Sequence, residues 1–269
     1  KNAFVGTASS IKIKSTEHYE QLGYDENAIT NVTVAARNPG TWANDIKVAF
    51  IDAKADQILT GITTTVTVGM GVTVAASGTY SDRLGNTHTL DGYFRGVVTD
   101  LTGGVAVKLQ SRVSAAGTVT DLDYAPGTAF ALANSGTIGF HTASDAVGSP
   151  SISTSWTGQV DWFEQQEIEL SVGKLEWDQL ANRPGTSEYA ANRGGRFDEV
   201  HVVVIDDKGT VTGNAGTILE KHLSLSKAKD AEFSVGSPSY WRKYLYTNSQ
   251  YIFGGSAPTG TVATAFSGN

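Results

Sequence analysis

The chain of 269 residues has no cysteine, which excludes disulfides, thiolate metal sites and a cysteine nucleophile. Charge is scarce too: 17% of residues are charged, with 20 basic against 27 acidic. That balance argues against nucleic acid as a partner, because phosphate binding needs a basic surface. A low charge beside 40% hydrophobic residues also argues against disorder. No apolar run approaches the roughly 18 residues of a membrane-spanning helix, so membrane insertion is not expected. No secretory leader is visible, and the sequence begins at Lys1 rather than Met, as expected of a piece of a longer protein. Methionine occurs once and proline six times, whereas glycine reaches 30 residues and threonine 31. Such a composition favours strands and turns over helices.

The shortage of charge is not evenly spread. Residues 58–157 hold ten charged residues and 18 of the threonines, and the rest of the chain holds the other 37 charges. This break predicts an inserted β domain at 58–157 between two halves, 1–57 and 158–255, of a second domain. Inside the insertion, Val105, Val107 and Leu109 alternate with Lys108 and Gln110, which predicts a strand with Lys108 on its solvent face. Strands are expected near 62–68, 71–76, 93–101, 104–113, 118–122 and 136–141. Turns are expected at Gly69, Gly78, Gly85-Asn86, Gly103-Gly104, Gly117 and Pro126-Gly127. The insertion reads as a small all-β barrel or sandwich.

The outer halves read as mixed. Strands are expected at 31–37, 45–52, 197–206 and 251–253. A helix is expected where Ile218, Leu219, His222 and Leu223 share one face, and another starts with Pro238 at its first position. The fold class expected is mixed α+β: an α/β domain of sheets flanked by helices, carrying the inserted barrel or sandwich. Residues 256–269, rich in Gly, Ser, Thr and Ala, read as a linker-like tail.

Motifs for chemistry are weak. The strand His201–Asp206 followed by Asp207 imitates a magnesium-binding strand, but Gly213–Thr217 lacks the lysine of a phosphate loop, so a hairpin is expected there. His18, His88, His141, His201 and His222 form no sequence-local metal pair, and no GxSxG elbow occurs. Carboxylates around Trp162 and Trp177 could flank a glycoside, but a solvated face accounts for them. Asn31-Val32-Thr33 fits a glycosylation acceptor that a strand also explains. No cofactor, metal or catalytic residue is expected. The segment Arg183–Arg196 leaves three readings open: an anion site, salt bridges to a neighbouring subunit, or a solvated loop.

Four stretches carry a family resemblance. They are 34–52 (VAARNPGTWANDIKVAFID), 161–170 (DWFEQQEIEL), 183–204 (RPGTSEYAANRGGRFDEVHVVV) and much of 206–253, including GTILEK from Gly216 and YIFG from Tyr251. These words resemble the tail sheath proteins of T-even-like contractile bacteriophages. The resemblance implies a structural subunit, not an enzyme, that surrounds the tail tube and contracts to drive it through the host envelope. It implies partners: other sheath subunits in stacked hexameric rings, the tube and the baseplate. It implies a virion location after assembly in the host cytoplasm, and an outward-facing β domain at the insertion. The family's N-terminal arm and inner C-terminal domain are absent from this chain, so the chain alone is expected to be monomeric. Arg183, Arg193 and Arg196 against Glu164, Glu167 and Asp198 are the expected lateral contacts between subunits. A glycan-binding or adhesin module is the alternative, with Trp42, Trp156, Trp162 and Trp177 as possible stacking platforms.

Overall fold

The computed structural model describes residues 13–24, 32–76, 79–81, 84–89, 91–122, 136–145 and 149–256. The turns expected at Gly78 and Pro126-Gly127, Asn31 of the acceptor triplet, and the tail beyond Ser256 lie outside the described residues. The chain is mostly β, with 42% strand and 14% helix, so the mixed α+β expectation holds only in its coarse form. Among the described residues no helix is long and apolar enough to cross a membrane.

Two compact units are formed. Unit 1 comprises Lys1–Ala53, Glu167–Leu175 and Pro184–Asn269; unit 2 comprises Lys54–Gln166 and Glu176–Arg183. The observed boundaries fall at 53/54 and 166/167 rather than at 57/58 and 157/158, and 176–183 joins unit 2. In chain order, α1 (Thr16–Gln21), β1 (Val34–Ala36) and β2 (Ile46–Asp52) come first. Next are β3 (Gln57–Thr60), β4 (Gly71–Ala75), β5 (Thr79–Ser81), β6 (Thr87–Thr89), β7 (Tyr93–Asp100) and β8 (Val105–Val113). They are followed by β9 (Val119–Asp121), β10 (Gly136–His141), β11 (Ile152–Trp156) and β12 (Gly158–Asp161). A hairpin of β13 (Glu167–Leu170) and β14 (Gly173–Glu176) follows. The last elements are α2 (Glu188–Ala191), β15 (Glu199–Asp206), β16 (Thr217–Ser226), α3 (Trp241–Asn248) and β17 (Ile252–Gly254).

Unit 2 is built on one eight-stranded sheet in the order β11-β10-β4-β7-β8-β3-β12, with β9 added to β8. Every pairing in it is antiparallel. Its two ends, β11 and β12, are consecutive in the chain and separated only by Thr157, whose N–H donates to the Thr60 carbonyl at 3.0 Å. The sheet therefore curls until the covalent chain joins its edges, which leaves few unpaired backbone groups. Residues two apart point to one face. Val72 and Val74 register with Phe140 and Ile138, Val74 also with Phe94, and all are buried. At the bulge between Arg95 and Gly96, a Cβ on Gly96 would sit 2.3 Å from the Lys108 carbonyl oxygen, so glycine alone permits that approach. The strand expected at 62–68 does not form; 61–70 is a connecting loop.

β8 departs from the alternation read in its sequence. Residues 105–109 are all buried, Lys108 among them. The Lys108 ammonium donates to Asp56 at 2.8 Å, and Asp56 also accepts the Leu109 N–H at 2.7 Å. Burial of this second face is confined to Ala106 and Lys108, where Asp56 neutralises the ammonium; Gln110 and Arg112 further along it stay accessible.

Unit 1 centres on β15, an eight-residue strand buried along its length and flanked by β16 and β2 in an antiparallel sheet. Its apolar face joins Ile46, Val48, Leu225, Trp241, Leu245 and Ile252 in one core. The helix expected over 218–223 is instead strand β16. A strand buried on both edges needs backbone partners on both. Pairing with β15 therefore overrides the weak helical preference of GTILEK. α3 starts at Trp241 with Tyr240 as its cap, so Pro238 lies outside it; Pro238 bridges Glu232 as isolated β structure. In a second cluster Tyr19 stacks on Phe253 at 4.3 Å, and the Arg37 guanidinium lies over Phe253 at 4.3 Å.

Candidate functional site

The six residues expected to mate between subunits divide by burial. Arg183 is 5% exposed, ion-paired with Asp161 and set over the Phe163 ring at 5.8 Å. Asp161 is itself held by the backbone, accepting from the Phe163 N–H at 2.9 Å. Asp198 is 2% exposed and accepts from the Ser187 N–H at 2.8 Å, the Ser187 hydroxyl at 2.7 Å and the Ser226 hydroxyl. These two correct the expectation that they are exposed lateral contacts. Asp198 is buried with three donors of its own unit around it, whereas the buried Arg183 is neutralised by Asp161 through one nitrogen and leaves its Nε and Nη1 without a hydrogen-bond partner. Asp161 was not singled out from sequence; a buried arginine required a carboxylate, and DWF places one beside two aromatic residues.

The other four stay at the surface. The Arg193 guanidinium lies over the Tyr189 ring at 3.6 Å and donates to the Tyr189 carbonyl at 3.3 Å. Arg196 is half-buried beside Phe197, at 5.5 Å. Glu164 is exposed, and Glu167 is exposed and paired with Lys174. Several donors of 183–199 are taken within the segment. The Ser187 donors go to Asp198, and the Gly185 N–H goes to Glu199 at 2.7 Å. The loop is stapled by Asp198 and Glu199, while the Arg183 Nε and Nη1 donors have no hydrogen-bond partner.

Burial pushes the Glu199 carboxyl above the ordinary glutamate value; the Gly185 N–H opposes this and the neighbouring Asp198 adds to it. A raised acid keeps its proton in the folded chain where the unfolded chain has lost it. Stability therefore falls as pH rises from the ordinary glutamate value toward the folded one. Glu199→Gln, which keeps the acceptor for Gly185, should be more stable than the parent at neutral pH. That advantage should vanish below the ordinary glutamate range. Paired thermal melts from acid to neutral pH test this; a difference that does not vary with pH would refute it.

The acidic end of β15 serves its own loop. Asp206 accepts from the N–H groups of Val211 at 3.0 Å and Thr212 at 2.7 Å, and from the Thr212 hydroxyl at 2.9 Å. Burial pushes its carboxyl up, but these hydrogen bonds outweigh that and hold it below the ordinary aspartate value. Asp207 accepts the Ser171 N–H at 2.7 Å, and Asp45 pairs with Lys208 at 2.7 Å. Connection 207–216 is thus a reverse turn between β15 and β16 rather than a phosphate loop. No group of three His or carboxylate side chains able to hold a metal occurs among the described residues. His201 accepts the Ser224 N–H at 2.9 Å, and His222, on β16 rather than on a helix, pairs with Glu220 at 2.9 Å. Trp156, Trp162 and Trp177 are 1%, 6% and 3% exposed, which makes them core residues and not platforms; Trp42 is half-buried. Compared with known proteins, the chain matches no family model, no curated protein and no solved structure.

Proposed function

We propose that the chain is part of a structural subunit of a contractile phage tail sheath. In this reading unit 1 is an α/β sheath domain flanked by α3, and unit 2 is a small barrel, closed by 152–161, that faces outward. The observation that supports it best is where the resembling words fall. Stretches 34–52, 183–204 and 206–253 supply β1, β2, β15, β16, α3 and β17, the sheet and core of unit 1. The low-charge curled sheet interrupts them as an insertion. A sheath works through interface energy between two packed states, without bond making. Rigid bodies serve that, and the filled loops and buried ion pairs of both units supply rigidity. The partners proposed are neighbouring subunits, the tube and the baseplate, with Arg193, Arg196, Glu164 and Glu167 at lateral contacts on the virion tail. Exposed pairs contribute about 0–1 kcal/mol each. They cannot offset roughly 4–15 kcal/mol of lost rigid-body freedom, so this chain alone should sediment as a monomer.

The natural protein containing this chain, purified and viewed by electron microscopy, should form helical tubes of stacked rings. Arg193→Glu should shorten them. A protein that stays dispersed under all conditions in which tails assemble would overturn the reading.

A further inference from the structure

We propose that a cleft in unit 1, lined by Asn38, Trp42, Thr210, Val211, Gln250 and Tyr251, binds a neutral saccharide. The cleft measures about 350 Å3, within the roughly 300–1,000 Å3 of small-ligand sites. Trp42 and Tyr251 meet edge to face at 6.1 Å with an interplanar angle of 66°, giving two ring surfaces in different orientations. Both rest on the unit 1 core from outside and remain half-buried. None of the six lining residues is charged, which disfavours anions, cations and charged peptides.

Of the polar side chains at the cleft, the Thr210 hydroxyl donates to Asp45 at 2.7 Å, and the other four are unused. Among the described residues, the Asn38 and Gln250 side-chain amides, the Trp42 indole N–H and the Tyr251 hydroxyl have no hydrogen-bond partner. Amides and a phenol supply both donors and acceptors, and the indole supplies a donor. A sugar presents C–H faces for the rings and vicinal hydroxyls that both donate and accept. An aliphatic or proline-rich peptide would use the rings but leave most of these groups unmet, at a cost for each one desolvated.

The indole is held in place from behind. A Cβ on Gly40 would lie 2.3 Å from Trp42 Cδ1 and 2.5 Å from Nε1, so glycine lets the ring lie against the backbone beside the cleft. The cleft's chemistry stands whether or not the chain polymerises.

The test uses the whole chain with N-acetylglucosamine, galactose and maltose as probes at millimolar concentration. Saturation-transfer NMR and tryptophan fluorescence read binding. At least one probe should bind, with transfer strongest to the sugar face that meets the rings. Asn38→Ala and Gln250→Ala, both at exposed positions outside the core, should each weaken binding at least about fivefold while leaving the melt unchanged. Gly40→Ala, which displaces the indole without removing it, should weaken binding further. No binding of any probe, or binding unaffected by all three variants, would overturn the proposal. Binding of a proline-rich peptide at this cleft with none of the sugars would overturn it equally.

Discussion

Asp56→Ala should cost unit 2 about 3–5 kcal/mol, because it leaves the Lys108 ammonium buried without its carboxylate and removes the acceptor of the Leu109 N–H. The side chains of Asp56 and Lys108 are 0% and 7% exposed, so water does not reach in to replace the lost partner without opening the sheet. Lys108→Met should be costly as well, since it takes the ammonium from a carboxylate that is 0% exposed, although Asp56 keeps the Leu109 N–H and the thioether fills much of the lysine stem's volume. The double variant should be more stable than Asp56→Ala alone, since the buried ammonium that Asp56 neutralised is gone as well. Urea denaturation of the four chains in a double-mutant cycle measures this coupling. Additive costs would mean that the two groups do not act as a pair.

That pair also marks where sequence reading runs out. The alternation around Lys108 is genuine, and β8 runs over nearly the span expected of it. Period two assigns one face to the core and the other to solvent, but it does not say whether a second layer covers the outer face. A lysine there reads as solvated unless its partner is known, and Asp56 lies 52 residues away. Asp198 and Arg183 failed for the same reason: charge alone suggested surface, while their partners Ser226 and Asp161 are remote in sequence. β2, β4, β7, β10 and β15 were legible because local patterning and burial agree in them. β16 was not. Its apolar residues at 218, 219, 222 and 223 fit a helix face, and two register shifts against β15 upset strict alternation. The left-handed Ser224, with φ of 52°, lies in this irregular part of the strand. The curling of unit 2 is also a non-local fact, since it depends on one run, 152–161, pairing at its two halves with strands far apart in the chain. In the cleft, Trp42 is one of four tryptophans that the sequence offers as platforms, and only burial separates it from the three that are core.

Trp241→Ala should destabilise unit 1 by about 3–5 kcal/mol, the range for deleting a large buried aromatic side chain. Trp241 is 2% exposed and stands edge-on to Phe50 at 5.6 Å and 90°. It joins the first turn of α3 to the core that holds β2, β15 and β17. The void cannot collapse easily, because the helix is held at its far end: Arg37 donates to the carbonyls of Tyr246 and Leu245. A fixed frame around a deleted side chain keeps its cavity, and the residual cavity is what raises the cost above simple transfer. Trp241→Phe should recover about half of the loss, since a smaller ring still meets Phe50. Hydrogen exchange locates the effect: amides of α3, β17 and β15 should exchange faster in Trp241→Ala. Amides of β4, β7 and β10, whose core is made of Val72, Phe94 and Ile138, should keep their protection. Equal acceleration in both groups would mean that the two units do not open separately.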